Sequence, residues 1–440
     1  MKVLAFILAL CAYASHARTY TLESVDDFKN FAEKVKLGTS YEGDTVVLES
    51  DLDLCDLSPD YEPIGDEENK FKGTFDGQGH VIYNLRFYDS DSLYTMYAGM
   101  FGYSKEATFT DLVFDASCFM QSQYKGSDVG MVGMLSGYCE KCTIDSVVNM
   151  GDVEYAGRHS FEGNEAAIGG IIGQGHKELA LTNSMSFGTV TFSGSRYCVD
   201  LGGLVGNTKK SDCVVANSAN YGDITYDGYS DDIITVGGII GYAKEGYKAS
   251  RVVNMGRISV DAPSFVTDYV GNIVGYSKNG AIEYAFWADN TGYSKVIGTG
   301  STGTSTSTTS EFDYEFKRKS GAVIIDSLNF NNNQYMRWTI RKMHLDGGSL
   351  GAFANKYYTG SAISLPVFVK QLPTPGKEGY LFDGWFTDKA CTKPYNNNAA
   401  VDTVYASWES ANSTCEFSGA SEKKAFGFLT LVVIAIALLF

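Results

Sequence analysis

Three short stretches of the chain hold reactive residue types at spacings that can do chemistry. Cys139 and Cys142 form a Cys-x-x-Cys, the spacing of a redox dithiol or of half a zinc site. Asp76 and His80 flank Gly-Gln-Gly in "DGQGH", and a carboxylate beside an imidazole can relay a proton. The stretch "GGIIGQG" at 169–175 has the glycine density of a phosphate-cradling loop. Context argues against all three. There is no second Cys-x-x-Cys and no cluster of histidines, so the pair reads as a structural disulfide. Asp-Gly-Gln-Gly reads as a tight turn with His80 beside it. No Lys-Ser/Thr follows the glycines, and no long helix is predicted after them. His16, His80, His159, His176 and His344 form no HExxH, and none sits in a recognisable nucleophile motif. The sequence therefore predicts no catalytic residue, no cofactor and no metal. The enzymatic alternative is a β-helical polysaccharide-degrading enzyme, whose carboxylates would stack on one face and leave no motif in sequence.

The glycines lead to the elements that would position such residues, because they recur. "YAGMFGYSKEATFTDLVF", "DVGMVGMLSGYCEKCTIDSVVNMGDVEY", "AIGGIIGQGHKELALTNSMSFGTVTF", "DLGGLVGNTKKSDCVVANSANYGDITY", "TVGGIIGYAKEGYKASRVVNMGRISV" and "YVGNIVGYSKNGAIEYAFWADNTG" share one pattern. The glycine closing each apolar run is read at Gly102, Gly133, Gly173, Gly206, Gly241 and Gly275, 31 to 40 residues apart, which is a solenoid period. Each unit reads as a short apolar strand, a polar turn, a second strand such as 249–254, and an Asn-x-Gly turn into a third strand. There Val153 and Tyr155, Val190 and Phe192, Ile224 and Tyr226, and Ile258 and Val260 alternate onto one face. One unit cannot bury that face, but a stack of units can. The expected fold is mainly β, a parallel β-helix or solenoid. Its glycines would allow close backbone passage or positive φ. Tyr103, Tyr242 and Tyr276 would stack as a ladder, with glycan binding as the alternative. Over roughly 95–298 the units resemble GLUG repeats, with Gly203-Leu204-Val205-Gly206 as the core, and 62–87 resembles the rung that commonly precedes them. The resemblance implies a β-helical surface protein.

Composition and the two ends set the context. The chain has 48 Gly and 29 Tyr against 7 Pro, which suits short strands and tight turns better than long helices. With 35 Lys plus Arg against 52 Asp plus Glu, the net charge is -17, which excludes the basic stripe of a nucleic-acid binder. Residues 1–17 read as a signal peptide, with Lys2, an apolar run and Ala12, Ala14 and Ala17 before the cleavage site. Residues 18–42 hold a capping helix, with Val25, Phe28, Phe31, Ala32 and Val35 at helical spacing, Ser24 as N-cap and Gly38 as stop. The solenoid follows at 43–298, and "TGSTGTSTSTTS" begins a Ser/Thr/Gly linker at 299–320. At the far end, a stalk at 411–424 and an apolar tail at 425–440 have the layout of a glycosylphosphatidylinositol signal. Ser418 is the first choice for the attachment residue and Gly419 the second; a retained membrane helix is the alternative. Asn412 is a glycosylation sequon near this anchor.

Between linker and stalk, residues 321–410 contain Asp346-Gly347-Gly348, Leu372-Pro373-Thr374-Pro375, "GYLFDGW" at 379–385 and "VYASW" at 404–408. These resemble the Listeria-Bacteroides repeat, which implies a small β-grasp-like module. Cys391 and Cys415 are the cysteines of this region and would pair. Trp385 and Trp408 are expected in its core rather than as sugar platforms. The expected protein is a non-enzymatic, lipid-anchored adhesin on the external face of the plasma membrane, with a glycan or protein ligand on another cell or matrix. A structural coat without a specific ligand is the other alternative.

Overall fold

In the computed structural model, each repeat forms one coil of a parallel β-solenoid of about six turns. The structure describes residues 17–410 except 58–60, 89–95, 125–128, 158–164, 210–211, 263–266, 289–292, 294, 301–303, 310–321, 330–336, 351–357, 360–361, 369–370, 378 and 398–399. The expectations for the signal peptide, His16, His159, Asn412, Cys415, Ser418, Gly419 and the apolar tail fall outside these residues.

One coil shows how the repeat folds. A first strand, Ser195–Gly202, turns sharply through Gly203-Leu204 into Val205–Thr208; Val214–Asn220 and Ile224–Tyr226 then complete the circuit. Equivalent strands pair in parallel from coil to coil and build four walls, with six, seven, thirteen and six strands in that order. Register is kept throughout: Leu201 pairs with Val236 and Val236 with Val270 in the first wall, and Val205 with Ile240 and Ile240 with Val274 in the second. The period-two alternation turns Val132, Ile168, Leu201, Val236 and Val270 into one buried column, each side chain contributing about 1.5–3 kcal/mol of burial.

The corner between the first two walls explains the glycines. A Cβ on Gly238 would stand 2.0 Å from the Asn272 carbonyl oxygen, and one on Gly241 would stand 2.5 Å from that of Gly206. Neither residue is left-handed, so crowding alone demands glycine. One expected position is corrected. Gly133 pairs with Gly169 and lies at the start of the corner, whereas Gly137 is flanked by residues that pair with those around Gly173. The closing glycines are therefore Gly102, Gly137, Gly173, Gly206, Gly241 and Gly275, 33 to 36 residues apart; the irregular spacing came from counting the wrong glycine of a pair.

The Asn-x-Gly corner is held from inside. Buried Asn149 donates to the Gly151 and Gly170 carbonyls, each at 2.9 Å, and accepts from the Gly151 N–H at 2.9 Å. Asn220 donates to the Gly222 carbonyl at 2.9 Å and to Asn254 Oδ1 at 3.0 Å, so the amides link successive coils. The third wall also bends at a point that the apolar pattern does not announce. Asp111, Ser146, Asn183, Asn217, Arg251 and Tyr284, one per coil, are left-handed with φ between 50° and 60°. Only the Asn and Asp positions suit this conformation intrinsically.

Helix α1 (Val25–Lys36) caps the N-terminal end, with Phe28, Phe31 and Val35 buried. Phe31 lies 5.7 Å from Phe71 and 6.3 Å from Phe101 between ring centroids. The Ser24 side chain accepts from Asp27 N–H, and Gly38 follows the helix at φ 96°, as the sequence predicts. At the other end, Ile297–Gly300 and Thr304–Thr309 pair in parallel with Val274–Ser277 and Gly280–Trp287. Much of the Ser/Thr/Gly run is therefore a last partial coil rather than a linker, because backbone pairing needs no apolar side chain.

Helix α2 (Ala322–Asn329) leads into a five-stranded mixed sheet centred on Trp338–His344, which pairs antiparallel with Ala362–Phe368 and parallel with Thr403–Ser410. This module lies against the outer face of the third wall. Phe187, Tyr221, Val253 and Phe286 share one buried cluster with Trp338, Leu365 and Val367. The Tyr221 hydroxyl donates to the Pro366 carbonyl, Trp338 Nε1 donates to Asn217 Oδ1, and Gln371 Nε2 donates to the Ser146 carbonyl at 2.9 Å.

Candidate functional site

The reactive stretches take packing and hydrogen-bonding roles within the coils. Cys139 and Cys142 are free thiols, which corrects the disulfide expectation. They lie on either side of a turn at left-handed Lys141, and both are buried. Cys142 Sγ is 3.6 Å from the Ser104 carbonyl and 3.7 Å from that of Glu140. Burial, with Cys139 beside it, pushes the Cys142 thiol well up, so both sulfurs serve as small core hydrophobes. His80 pairs with Asp51 at 2.9 Å rather than with Asp76. Asp76 accepts from the Gln78 N–H at 3.0 Å, the turn that was expected. Among the described residues, no group of three His, Cys, Asp or Glu could hold a metal.

The solenoid does bring together two rows that the sequence scatters. Strand alternation points one residue from each coil of the first wall, and one from the second, outward across the glycine corner. In the first wall these are Tyr97, Met131, Ala167, Asp200, Thr235 and Tyr269, aligned by pairing. In the second they are Tyr103, Tyr138, Gln174, Asn207, Tyr242 and Tyr276.

The aromatic ends are ladders. Tyr103 and Tyr138 have ring centroids 4.5 Å apart, and Tyr97 closes against Tyr103 at 5.3 Å across the corner. Tyr242 stacks on Tyr276 at 4.9 Å with planes 9° apart, and Tyr269 meets Tyr276 at 5.8 Å. Charges trim the first ladder. Tyr97 donates to Glu67 at 2.7 Å, Lys70 lies 5.0 Å over the Tyr103 ring, and Lys177 reaches Glu140 at 2.7 Å. Against the cost of burial, Lys177 and Lys105 hold the Glu140 carboxyl below its ordinary range.

Between the ladders the corner is polar. Asp200 accepts from Thr235 Oγ1 at 2.6 Å and from Asn207 Nδ2. Burial pushes its carboxyl up to about 7, against the pull of those two donors. Gln174 and Asn207 are each 3% exposed, and Gln174 Oε1 and Asn207 Oδ1 accept no hydrogen bond. Sequence reading found Tyr103, Tyr242 and Tyr276 but missed the polar members. The signal was present, since each follows a closing glycine or occupies the matching position before the corner. A recess of about 300 Å³ lies beside α1, lined by Phe28, Ala32, Lys36, Leu57, Tyr61 and Ile64 among others.

The C-terminal sheet has the strands that carry "GYLFDGW" and "VYASW" as antiparallel neighbours, with Trp385 opposite Ala406. Residues 344–407 match the Listeria-Bacteroides repeat domain. In this repeat Trp385 is 9% exposed and donates to the Pro373 carbonyl at 2.9 Å. Trp408 donates to the Leu345 carbonyl at 3.1 Å, and both rings pack inward as expected. The repeat's Cys391 is a free thiol, 3.8 Å from the Ala406 carbonyl, so the expected pairing with Cys415 is corrected: the thiol turns back onto its own sheet. The chain is a parallel β-solenoid protein with this match in its C-terminal module. A crystal structure of a putative immunoglobulin A1 protease from Bacteroides ovatus is similar at TM-score 0.47 and 19% identity, over 70% of this chain and 87% of that one; at that level it carries no argument. No curated protein matches the chain.

Proposed function

We propose that this protein is a lipid-anchored, non-enzymatic adhesin whose GLUG-like solenoid is displayed outside the cell to contact glycan or protein on a neighbouring surface. The observation that carries the reading is the outward corner between the first two walls, where aromatic rings and hydrogen-bonding side chains line up in register over six coils. An extended row of this kind suits an extended ligand better than a single reacting bond. The secretory and anchor signals of the sequence supply its place on the cell surface.

The test is to screen the released full-length protein on glycan and matrix-protein arrays, with phosphatidylinositol-specific phospholipase treatment of cells in parallel. Binding to an array class and phospholipase release are the expected results. Absence of binding overturns adhesion in favour of a structural coat, and retention on the membrane overturns the lipid anchor in favour of a membrane helix. The enzymatic alternative is a β-helical polysaccharide-degrading enzyme, in which a carboxyl pushed up to about 7 by burial, such as Asp200, would be the candidate general acid. Release of reducing ends from a polysaccharide panel, abolished in Asp200→Asn, would establish that reading.

A further inference from the structure

The recess beside the capping helix has a chemically uneven lining. It encloses about 300 Å³ between α1 and the segment 57–66. Its floor is apolar: Phe28, Tyr61 and Ile64 are buried, and Ala32 and Leu57 are partly exposed beside them. The wall opposite the helix is already fixed. The Tyr61 ring stacks on Phe28 at 6.5 Å, its hydroxyl donates to the Met100 carbonyl, and the Ile64 N–H donates to the same carbonyl at 3.0 Å. A preformed concave site costs little to order when a ligand enters.

The mouth of the recess is acidic. Lys29, Glu33 and Lys36 line it from α1, and Glu62 and Asp66 line it from the opposite segment. Lys36 meets Glu62 at 2.5 Å, and Lys29 pairs loosely with Asp26 at 3.8 Å along the helix. The hydrogen bond and charge of Glu62, followed by the charges of Glu33 and Asp66, raise the Lys36 ammonium above its ordinary range. Three carboxylates therefore converge on one ammonium, which leaves two negative charges in excess. Among the described residues, Glu33 and Asp66 make no ion pair of their own. The Asp66 carboxylate is held in place, because its Oδ1 accepts from the Glu68 and Asn69 N–H groups at 2.8 and 2.7 Å. Its Oδ2 keeps lone pairs for a further donor.

An apolar floor under a negative mouth matches a side chain whose hydrocarbon stem ends in a cation. We propose that the recess beside α1 is a docking site for a lysine or arginine side chain of a partner protein, with the stem against Ala32 and Leu57 and the head at the Glu33 and Asp66 carboxylates. The net charge of -17 draws a basic partner toward it. The inference rests on the adhesin reading for its partner and gives the chemistry of that partner's contact.

The experiment is isothermal titration of the full-length protein with capped tripeptides, acetyl-Ala-X-Ala-amide, in which X is arginine, lysine, norleucine or glutamate. It is repeated with three variants. Ala32→Phe fills the floor and leaves the charges. Glu33→Gln with Asp66→Asn removes the free carboxylates and keeps their shape. Asp231→Asn with Asp261→Asn makes the same charge change at exposed sites in later coils. Thermal unfolding checks that each variant keeps the fold, and the exposed rim pair decides the matter if Ala32→Phe unfolds the chain. The arginine and lysine peptides are expected to bind the parent, and the other two at least about threefold more weakly. Filling should weaken binding at least about tenfold, and loss of the two rim charges about three- to tenfold, with the distant pair within about twofold of the parent. If basic peptides bind and neither recess variant shifts affinity beyond about twofold, or if the distant pair loses as much as the rim pair, the recess is not the site, while the adhesin reading stands. Equal binding of the norleucine peptide overturns the cationic ligand. If no basic peptide binds but either array is positive, the docking proposal falls alone; if no array is positive either, both fall. If calcium chloride displaces the basic peptides from the parent, the carboxylates are a metal site and the proposal is overturned.

Discussion

The same coils present two outer surfaces with opposite fates. On the third wall the outward residues are Val148, Phe187, Tyr221, Val253 and Phe286, and the C-terminal sheet covers them. At the corner between the first and second walls the outward residues are tyrosines and polar groups, which fill the crevice with their own side chains. Stacking constrains only what points inward. Outward positions repeat in register too, but their chemistry is free, so one stripe became a docking face and the other a row of rings interrupted by packed polar groups.

The largest expected effect abolishes the comparison by removing the coil. Gly238→Val places a side chain where even a Cβ would stand 2.0 Å from a backbone oxygen. Because the nearest atom is backbone and the Asn254 side chain that crowds the same point is itself buried, a loss above about 4 kcal/mol is expected, read as failure of cooperative unfolding in circular dichroism. Next, Trp338→Ala deletes the fully packed ring that joins the module to the third wall. We expect a loss of about 3–5 kcal/mol, with the module becoming protease-sensitive while the solenoid keeps its resistance. Cleavage of both at equal rates would show that the two surfaces are not energetically separate.

The third test separates the surfaces by pH. The Asp200 carboxyl titrates at about 7 in the folded chain and near 3.9 when unfolded, so the native state holds the proton more tightly. Its contribution is complete below about pH 4 and is lost as pH rises from about 4 to 7. Asp200→Asn should flatten this slope, because an amide takes up no proton in this range. Unfolding midpoints across that range check it, and an unchanged slope in the variant would assign the titration to other groups. The smallest effect is expected from Tyr242→Leu, which removes one ring of the Tyr242–Tyr276 stack. A loss of about 0.5–1.5 kcal/mol is measurable by chemical denaturation.

Much of the solenoid was legible because its causes are local. The period-two alternation, the apolar runs and the Ser24 cap each act over a few residues. The position of Gly133 was misread because two glycines serve one corner, and only the pairing of Gly133 with Gly169 separates their roles. The disulfide expectations failed for a related reason. A Cys-x-x-Cys does not record whether neighbouring thiols join, and Cys142, with Cys139 beside it, lies against the Ser104 carbonyl of the preceding coil. The left-handed bend at Ser146, Arg251 and Tyr284 was illegible, since tertiary packing holds those residues in a conformation they do not prefer.

By itself, the sequence determined that the chain stacks into parallel coils, that an amphipathic helix caps one end, and that a Listeria-Bacteroides repeat follows. Each of these depends on periodicity or a compact motif. Tertiary structure alone decided that Gln174, Asp200 and Asn207 share one crevice between Tyr138 and Tyr242, and that Trp338 lies on Asn217. These neighbours are brought together by the strand spacing between coils and by the module folding back, distances that no local pattern records.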